Sequence, residues 1–274
     1  MSTIARALGE IALGLAIAVG GSAVWSILFG ANFAGNPAQP WSIPAMALAL
    51  FLLWRYLSGA GWPSSTSDFR SMRLPRKALT ATEATWGLAA ALSGSLVFLC
   101  LLLAVYRLAP VPIAPLPDAV NAAPGLSLAY FAMASIVAGI VEEVGFRGYM
   151  QAGLQELIGW FPSSVLVAGL FALFHAAHAE FLHLIPVYIG ASICYSLTVR
   201  MTGSLWPAIA AHAGVDFVSL VLLLIVGPKA LTAAADLAQP DRSLQIVALL
   251  GILSFLVGIM AYWNLSARRP GTHG

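Results

Sequence analysis

Long apolar runs, separated by short clusters of Pro, Gly and charged residues, dominate this chain. A helix needs about 20 mainly apolar residues to cross the hydrocarbon core of a bilayer, and several runs approach that length. The pattern predicts an all-α fold, a polytopic bundle of about eight transmembrane helices. Their predicted bounds are 8–29, 41–57, 84–108, 126–150, 163–179, 183–201, 204–226 and 243–264.

The composition agrees with the pattern and excludes several classes of protein. Of 274 residues, 60% are hydrophobic and 9% are charged, whereas a soluble domain has about 25% charged residues. A soluble globular enzyme, a disordered protein and a nucleic-acid binder are therefore excluded. The net charge of +2 is too balanced for a polybasic ligand site. Cys100 and Cys194 both lie in apolar runs, so we expect neither a disulfide nor a thiolate metal site.

The positions of Lys and Arg predict the orientation of the chain in the cell membrane. The loops near 30–40 and 109–125 contain no Lys or Arg, and short loops that carry these residues stay in the cytoplasm. We therefore expect a multi-pass protein with both termini cytoplasmic, and a basic loop that touches anionic lipid headgroups. The basic residues after the second and the eighth predicted helix are Arg55, Arg70, Arg73, Arg76, Lys77, Arg268 and Arg269.

The fourth predicted helix contains three ionisable residues, Glu142, Glu143 and Arg147. Each costs roughly 2.5–3.5 kcal/mol at the centre of a membrane helix, so the three must face a protein interior or a wet cavity. Glu143 and Arg147 are spaced i,i+4, which predicts an ion pair. Glu142 lies about 100° around the helix from Glu143, away from the predicted pair with Arg147. Its carboxylate is therefore expected to be available to carry protons. A buried packing network, or a cluster at the helix end, is the alternative.

Two further predicted helices carry polar side chains in apolar surroundings. His175 follows Phe171 in the fifth helix, and His212 and Asp216 are spaced i,i+4 in the seventh. A lone histidine on an apolar helix is usually a core residue, but three helices with such groups are stronger evidence. At 1.5 Å per residue, Glu142, His175 and His212 lie about 21, 18 and 12 Å from the same side. We therefore predict that these three side chains meet in one buried pocket.

These residue types support hydrolysis within or beside the bilayer. The chain has no Gly-x-Ser-x-Gly turn, no His-Glu-x-x-His pair and no phosphate-binding Gly-rich loop. A carboxylate and a neutral histidine can activate water as a general base. A second histidine with a polar partner can stabilise the oxyanion of a tetrahedral intermediate. Alternatively, Glu142, His175 and His212 could supply three ligands to zinc.

Three motifs resemble those of the CPBP family, which includes the CAAX prenyl endopeptidases of the Rce1 type and the bacterial Abi proteins. They are Glu142-Glu143-x-x-x-Arg147, Phe171-x-x-x-His175 and His212-x-x-x-Asp216. The resemblance covers residues 126–226, the expected catalytic core. Residues 1–125 would add three helices and the basic loop, and residues 227–274 the last helix and a basic tail.

This resemblance implies an intramembrane glutamate-dependent endopeptidase that cleaves a membrane-associated peptide or protein. The ligand types of the site do not demand a metal, so we expect no cofactor, with zinc as the alternative. Glu142 would be the general base, with His175 beside it, and Glu143 and Arg147 would support the site. His212 and Asp216 would form the element that stabilises the oxyanion.

Asp216 departs from the pattern, because the prenyl endopeptidases usually have Asn there. An ionised carboxylate cannot donate to an oxyanion. Either burial keeps Asp216 protonated, or Asp216 only orients His212 through the other ring nitrogen, which is the role we expect. Two other functions stay open: a non-catalytic membrane protein for partner binding or bacteriocin immunity, and a transporter with Glu142 in a proton relay.

Overall fold

The computed structural model describes residues 2–109, 122–177, 181–227 and 241–268. Most of these residues are helical and none of them forms a β-strand, so the predicted all-α class is confirmed. Besides a 3₁₀ turn at Ser64–Thr66 and a π-helix at Glu143–Met150, the helices are α1 (Thr3–Gly35), α2 (Ser42–Leu57), α3 (Ser67–Met72), α4 (Ala81–Leu108), α5 (Pro124–Glu142), α6 (Gln151–Ile158), α7 (Trp160–Phe174), α8 (Phe181–Thr202), α9 (Trp206–Val226) and α10 (Arg242–Ser266).

The number of long helices is smaller than the predicted eight. In the described part of the chain, six helical segments are long and apolar enough to cross a membrane. The other two predicted spans correspond to α2 and α7, which have 16 and 15 residues. At 1.5 Å per residue these helices are about 24 and 22 Å long, short of the roughly 30 Å hydrocarbon core. The chain is a multi-pass membrane protein with two additional short apolar helices.

The helices fall into two compact units. Unit 1 comprises the described residues within 1–76 and 116–167, and unit 2 those within 77–115 and 168–274. Most of α7 therefore belongs to unit 1, and its last turns to unit 2. Residues 110–121, which hold most of the predicted loop 109–125, and the tail residue Arg269 lie outside the described residues.

In unit 1, α5 packs against α1 and α2. Met133, Val137 and Val141, spaced by four along α5, form a buried apolar cluster with Met46 and Leu50 of α2. A stripe at this spacing occupies one face of a helix. This packing fixes which face of α5 contacts its neighbours, N-terminal to the acid motif, which we define as Glu142, Glu143 and Arg147.

The basic loop of unit 1 differs from the prediction, because two of its arginines are buried. Arg73 pairs with the carboxylates of Glu10, at 2.6 Å, and Glu156, at 2.5 Å. Arg70 donates to the backbone carbonyl of Tyr56, in the last turn of α2, and to those of Ala60, Gly61 and Pro63 in the loop that follows. The predicted contact with lipid headgroups is therefore wrong for Arg70 and Arg73.

In unit 2, α4 packs against α8, α9 and α10. A capping box begins α4: Glu83 N–H donates to the Thr80 hydroxyl, and the Glu83 carboxylate accepts from the Thr80 N–H. At its other end, Arg107 pairs with Asp241, which caps the N-terminus of α10. Hydrogen bonds from Ser243 and then from Arg107 hold the pKa of Asp241 below its usual range. The Arg107–Asp241 pair therefore joins the end of α4 to the start of α10.

Candidate active site

The acid motif lies where the helix changes type. α5 ends at Glu142, the π-helix continues through Met150, and α6 follows without a break. The predicted span 126–150, with its continuation to about Glu156, is thus part of one helical segment, Pro124–Ile158. Short π-helical segments inside α-helices occur frequently at functional sites. The change of helix type therefore marks these residues independently of their charge.

The predicted ion pair of the motif is present. Arg147 Nη1 lies 3.0 Å from Glu143 Oε1, and both side chains have no exposed surface. Removing two charges from water costs several kcal/mol per ion, and the mutual attraction and hydrogen bond of the pair act against that cost. Glu142, the last residue of α5, is also buried, with 6% of its surface exposed. Unit 1 thus contains a paired Glu143–Arg147 and a second carboxylate next to it.

Two glycines bring the π-helix into close contact with α1. A Cβ placed on Gly145 would lie 2.6 Å from the Gly14 carbonyl oxygen, and a Cβ on Gly14 would lie 2.6 Å from the Gly145 carbonyl oxygen. Small residues let membrane helices approach backbone to backbone. The position of the acid motif against α1 therefore depends on the absence of both Cβ atoms.

We expect Gly145→Ala to destabilise the protein by about 1–3 kcal/mol, because an extra methyl group in a tight interface forces the backbone to shift. Gly20→Ala is the matched control, since a Cβ on Gly20 meets nothing within 4 Å. Thermal unfolding in detergent, followed by tryptophan fluorescence, measures both variants. Equal melting temperatures for the two variants would contradict the proposed contact.

A second charged cluster, which the sequence analysis did not find, lies in unit 1. It joins Glu10 and Arg6 of α1 to Arg73 and to Glu156 of α6, with N–O distances of 2.5–2.6 Å. Gly153 lies beside it, because a Cβ there would meet the Glu10 carboxylate at 2.3 Å. One signal was available, since Glu10 is an acid inside an apolar run. The cluster ties the start of α1 to the segment that follows the acid motif.

His175 lies in the turn that follows α7, which corrects its predicted place inside a helix over 163–179. Its backbone N–H donates to the Ala172 carbonyl at 3.0 Å. Its ring Nδ1 donates to the Phe171 carbonyl at 2.8 Å. Because a carbonyl oxygen only accepts, Nδ1 carries the proton, and Nε2 is the basic nitrogen of the neutral ring.

His212 and Asp216 lie on α9, as predicted. His212 Nε2 and Asp216 Oδ2 are 3.6 Å apart, beyond hydrogen-bond distance. The Asp216 side chain is 37% exposed, whereas that of His212 is only 7% exposed. The two residues are therefore neighbours, and the orienting role of Asp216 stays a prediction.

The residues of the second and third motifs line one pocket in unit 2. The pocket has a volume of about 130 Å³ and is lined by His175, His212 and Asp216 together with residues of α4 and α8. Phe171 connects the two histidines, because its ring centroid lies 4.7 Å from that of His175 and 6.1 Å from that of His212. Several other residues of this pocket were not predicted from the sequence, among them Ser95, Tyr188 and Tyr195.

The structure brings together the predicted residues within each unit. Glu142, Glu143 and Arg147 cluster in unit 1, and His175, His212 and Asp216 in unit 2. That Glu142 meets the histidines stays a prediction. Within either unit, no group of three His, Cys, Asp or Glu side chains among the described residues could hold a metal ion.

Taken together, the fold and these residues define a multi-pass helical membrane protein with a buried acid motif and a histidine pocket. Residues 124–218 match the family model described as type II CAAX prenyl endopeptidase, Rce1-like. The matched segment begins with α5 and contains all three motifs, and it confirms the predicted resemblance to the CPBP family. Residues 124–218 are thus similar to an Rce1-like domain, the domain of a family of membrane proteases. No curated protein and no solved structure matches the chain.

Proposed function

We propose that this protein is an intramembrane endopeptidase in which Glu142 activates water for attack on a peptide bond. The observation that carries the proposal is the pocket of unit 2, where residues of two separate motifs converge. The Rce1-like match, which also contains the acid motif, supports the same chemistry. The substrate class that follows is a peptide or protein segment held at the membrane.

Each residue has one role in the proposed reaction. Glu142 takes a proton from water as the oxygen attacks the carbonyl carbon, and it later passes that proton to the leaving amine. His175, with Nε2 as its basic nitrogen, assists this transfer. His212 donates to the oxyanion of the tetrahedral intermediate. Glu143 and Arg147 neutralise each other, so that they hold the helix of Glu142 without taking part in proton transfer.

The proposed orientation places both termini in the cytoplasm. It rests on the Lys and Arg residues of the short loops, because loops rich in these residues are retained on the cytoplasmic side. We also propose that the reaction needs no metal ion. The alternative, a zinc ion held by Glu142, His175 and His212, predicts that a chelator abolishes activity.

The proposal is tested by incubating purified protein in detergent with a library of quenched fluorescent peptides, with and without a chelator. Cleavage that survives chelation supports a metal-free endopeptidase. Cleavage that chelation abolishes and zinc restores would favour the zinc alternative. A folded protein that cleaves no peptide would favour partner binding or immunity. A His212→Ala variant purified in parallel controls for contaminating proteases.

The role of Asp216 can be tested on any cleaved peptide. Asp216→Asn is expected to lower kcat/KM by less than about tenfold, because an amide oxygen, like a carboxylate oxygen, can accept a hydrogen bond from a ring N–H when the site closes on substrate. Asp216→Leu removes that acceptor and should lose more activity. Complete inactivity of the Asn variant would contradict a purely orienting role.

A further inference from the structure

Two tyrosines of α8 stack on the two histidines of the pocket. The ring centroids of Tyr188 and His175 are 4.4 Å apart, with an interplanar angle of 18°. Those of Tyr195 and His212 are 5.2 Å apart, with an angle of 14°. The tyrosines are seven residues apart, which is about two helical turns, so they lie on the same face of α8.

Tyr195 is in turn held by α4. Its hydroxyl lies 2.9 Å from the hydroxyl of Ser95, and both residues are buried. Ser95 donates its single hydroxyl proton to the Ala91 carbonyl, at 2.9 Å. Tyr195 is therefore the donor to Ser95. Two contacts therefore hold Tyr195: Ser95 bonds its hydroxyl, and His212 stacks on the face of its ring.

We propose that Tyr188 and Tyr195 form an aromatic ladder that fixes the ring planes of His175 and His212, with Tyr195 as a positioning residue for hydrolysis. The χ2 torsion of histidine has broad minima. A tyrosine ring stacked nearly parallel on the imidazole therefore restricts rotation of the imidazole about χ2. The part that concerns hydrolysis rests on the proposed function. Misplacement of a catalytic group by about 1 Å can cost about a hundredfold in rate.

Peptide hydrolysis tests the positioning role. Tyr195→Leu removes the stacking ring and should lower kcat by about 10- to 100-fold with little change in KM. Tyr195→Phe keeps the ring and loses only the bond to Ser95, so it should restore most of the rate. The matched controls are Tyr262→Leu and Tyr262→Phe, because Tyr262 hydrogen-bonds Thr198 and does not line the histidine pocket.

A measurement without substrate separates the ladder from the proposed function. In protein labelled with ¹³C-histidine, Tyr195→Leu should shift the ring signals of His212, because the ring current of the tyrosine is lost, whereas Tyr262→Leu should not. An unchanged His212 signal would overturn the ladder whether or not the protein cleaves peptides. A shifted signal with unchanged kcat would overturn the positioning role. Failure of the wild type to cleave any peptide counts against the proposed function, and the His212 signal then decides the ladder.

Discussion

Replacing Glu142 by Gln is expected to lower the rate of peptide hydrolysis by about 10²- to 10⁴-fold, the usual contribution of a general base. The amide has nearly the shape of the carboxylate but accepts no proton from water. The fold should tolerate the change, since the amide keeps nearly the same volume and its oxygen still accepts hydrogen bonds. Initial rates on a cleaved peptide, together with melting temperature, measure both effects.

Two matched variants sharpen this prediction. Glu142→Asp keeps a carboxylate but withdraws it by one methylene, so it should retain more activity than Glu142→Gln. Glu143→Gln makes the same chemical change one residue later and breaks a buried ion pair, so it should lower the melting temperature as well as the rate. Full hydrolytic activity of Glu142→Gln would refute Glu142 as the general base.

Arg147→Met is expected to destabilise the protein by about 3–5 kcal/mol, because it leaves the buried carboxylate of Glu143 without its cation. The Arg147 and Glu143 side chains have no exposed surface from which water could compensate. We expect less protein in the membrane and a lower melting temperature in detergent. Expression level and thermal unfolding measure these two effects.

The control is the double variant Glu143→Gln with Arg147→Met. Replacing both members of a buried pair by neutral side chains removes both desolvation penalties and is often tolerated. The double variant should therefore be more stable than Arg147→Met alone. Equal stability of the single and double variants would mean that the ion pair contributes little and that Arg147 acts through other contacts.

Much of the fold follows from the sequence, because an apolar run of sufficient length has one stable form in a bilayer, the helix. The lengths of α2 and α7 were harder to predict, since apolar composition marks a buried helix as well as a spanning one. The end of α7 was missed because no Gly or Pro follows Phe174 to signal it. The π-helix has no side-chain signature either, since its hydrogen-bond register depends on packing.

The site was predictable where helical spacing alone determines contact. Glu143 with Arg147, and His212 with Asp216, are i,i+4 neighbours on single helices. The partners supplied by other helices were not predictable in this way. The tyrosines of α8 repeat at i,i+7, but core aromatic residues show the same spacing. The Ser95 hydroxyl becomes informative only when α4 is placed against α8.

The burial of Arg70 and Arg73 makes the exposed charge of the basic loop differ before and after folding. In the proposed orientation, Arg70 and Arg73 would count as topological signals during insertion, because Lys and Arg in short loops bias those loops toward the cytoplasm. After folding, both guanidinium groups are enclosed within unit 1, and Arg55 and Arg76 remain exposed. The charge that orients the nascent protein is therefore larger than the charge that the mature protein presents to anionic lipids.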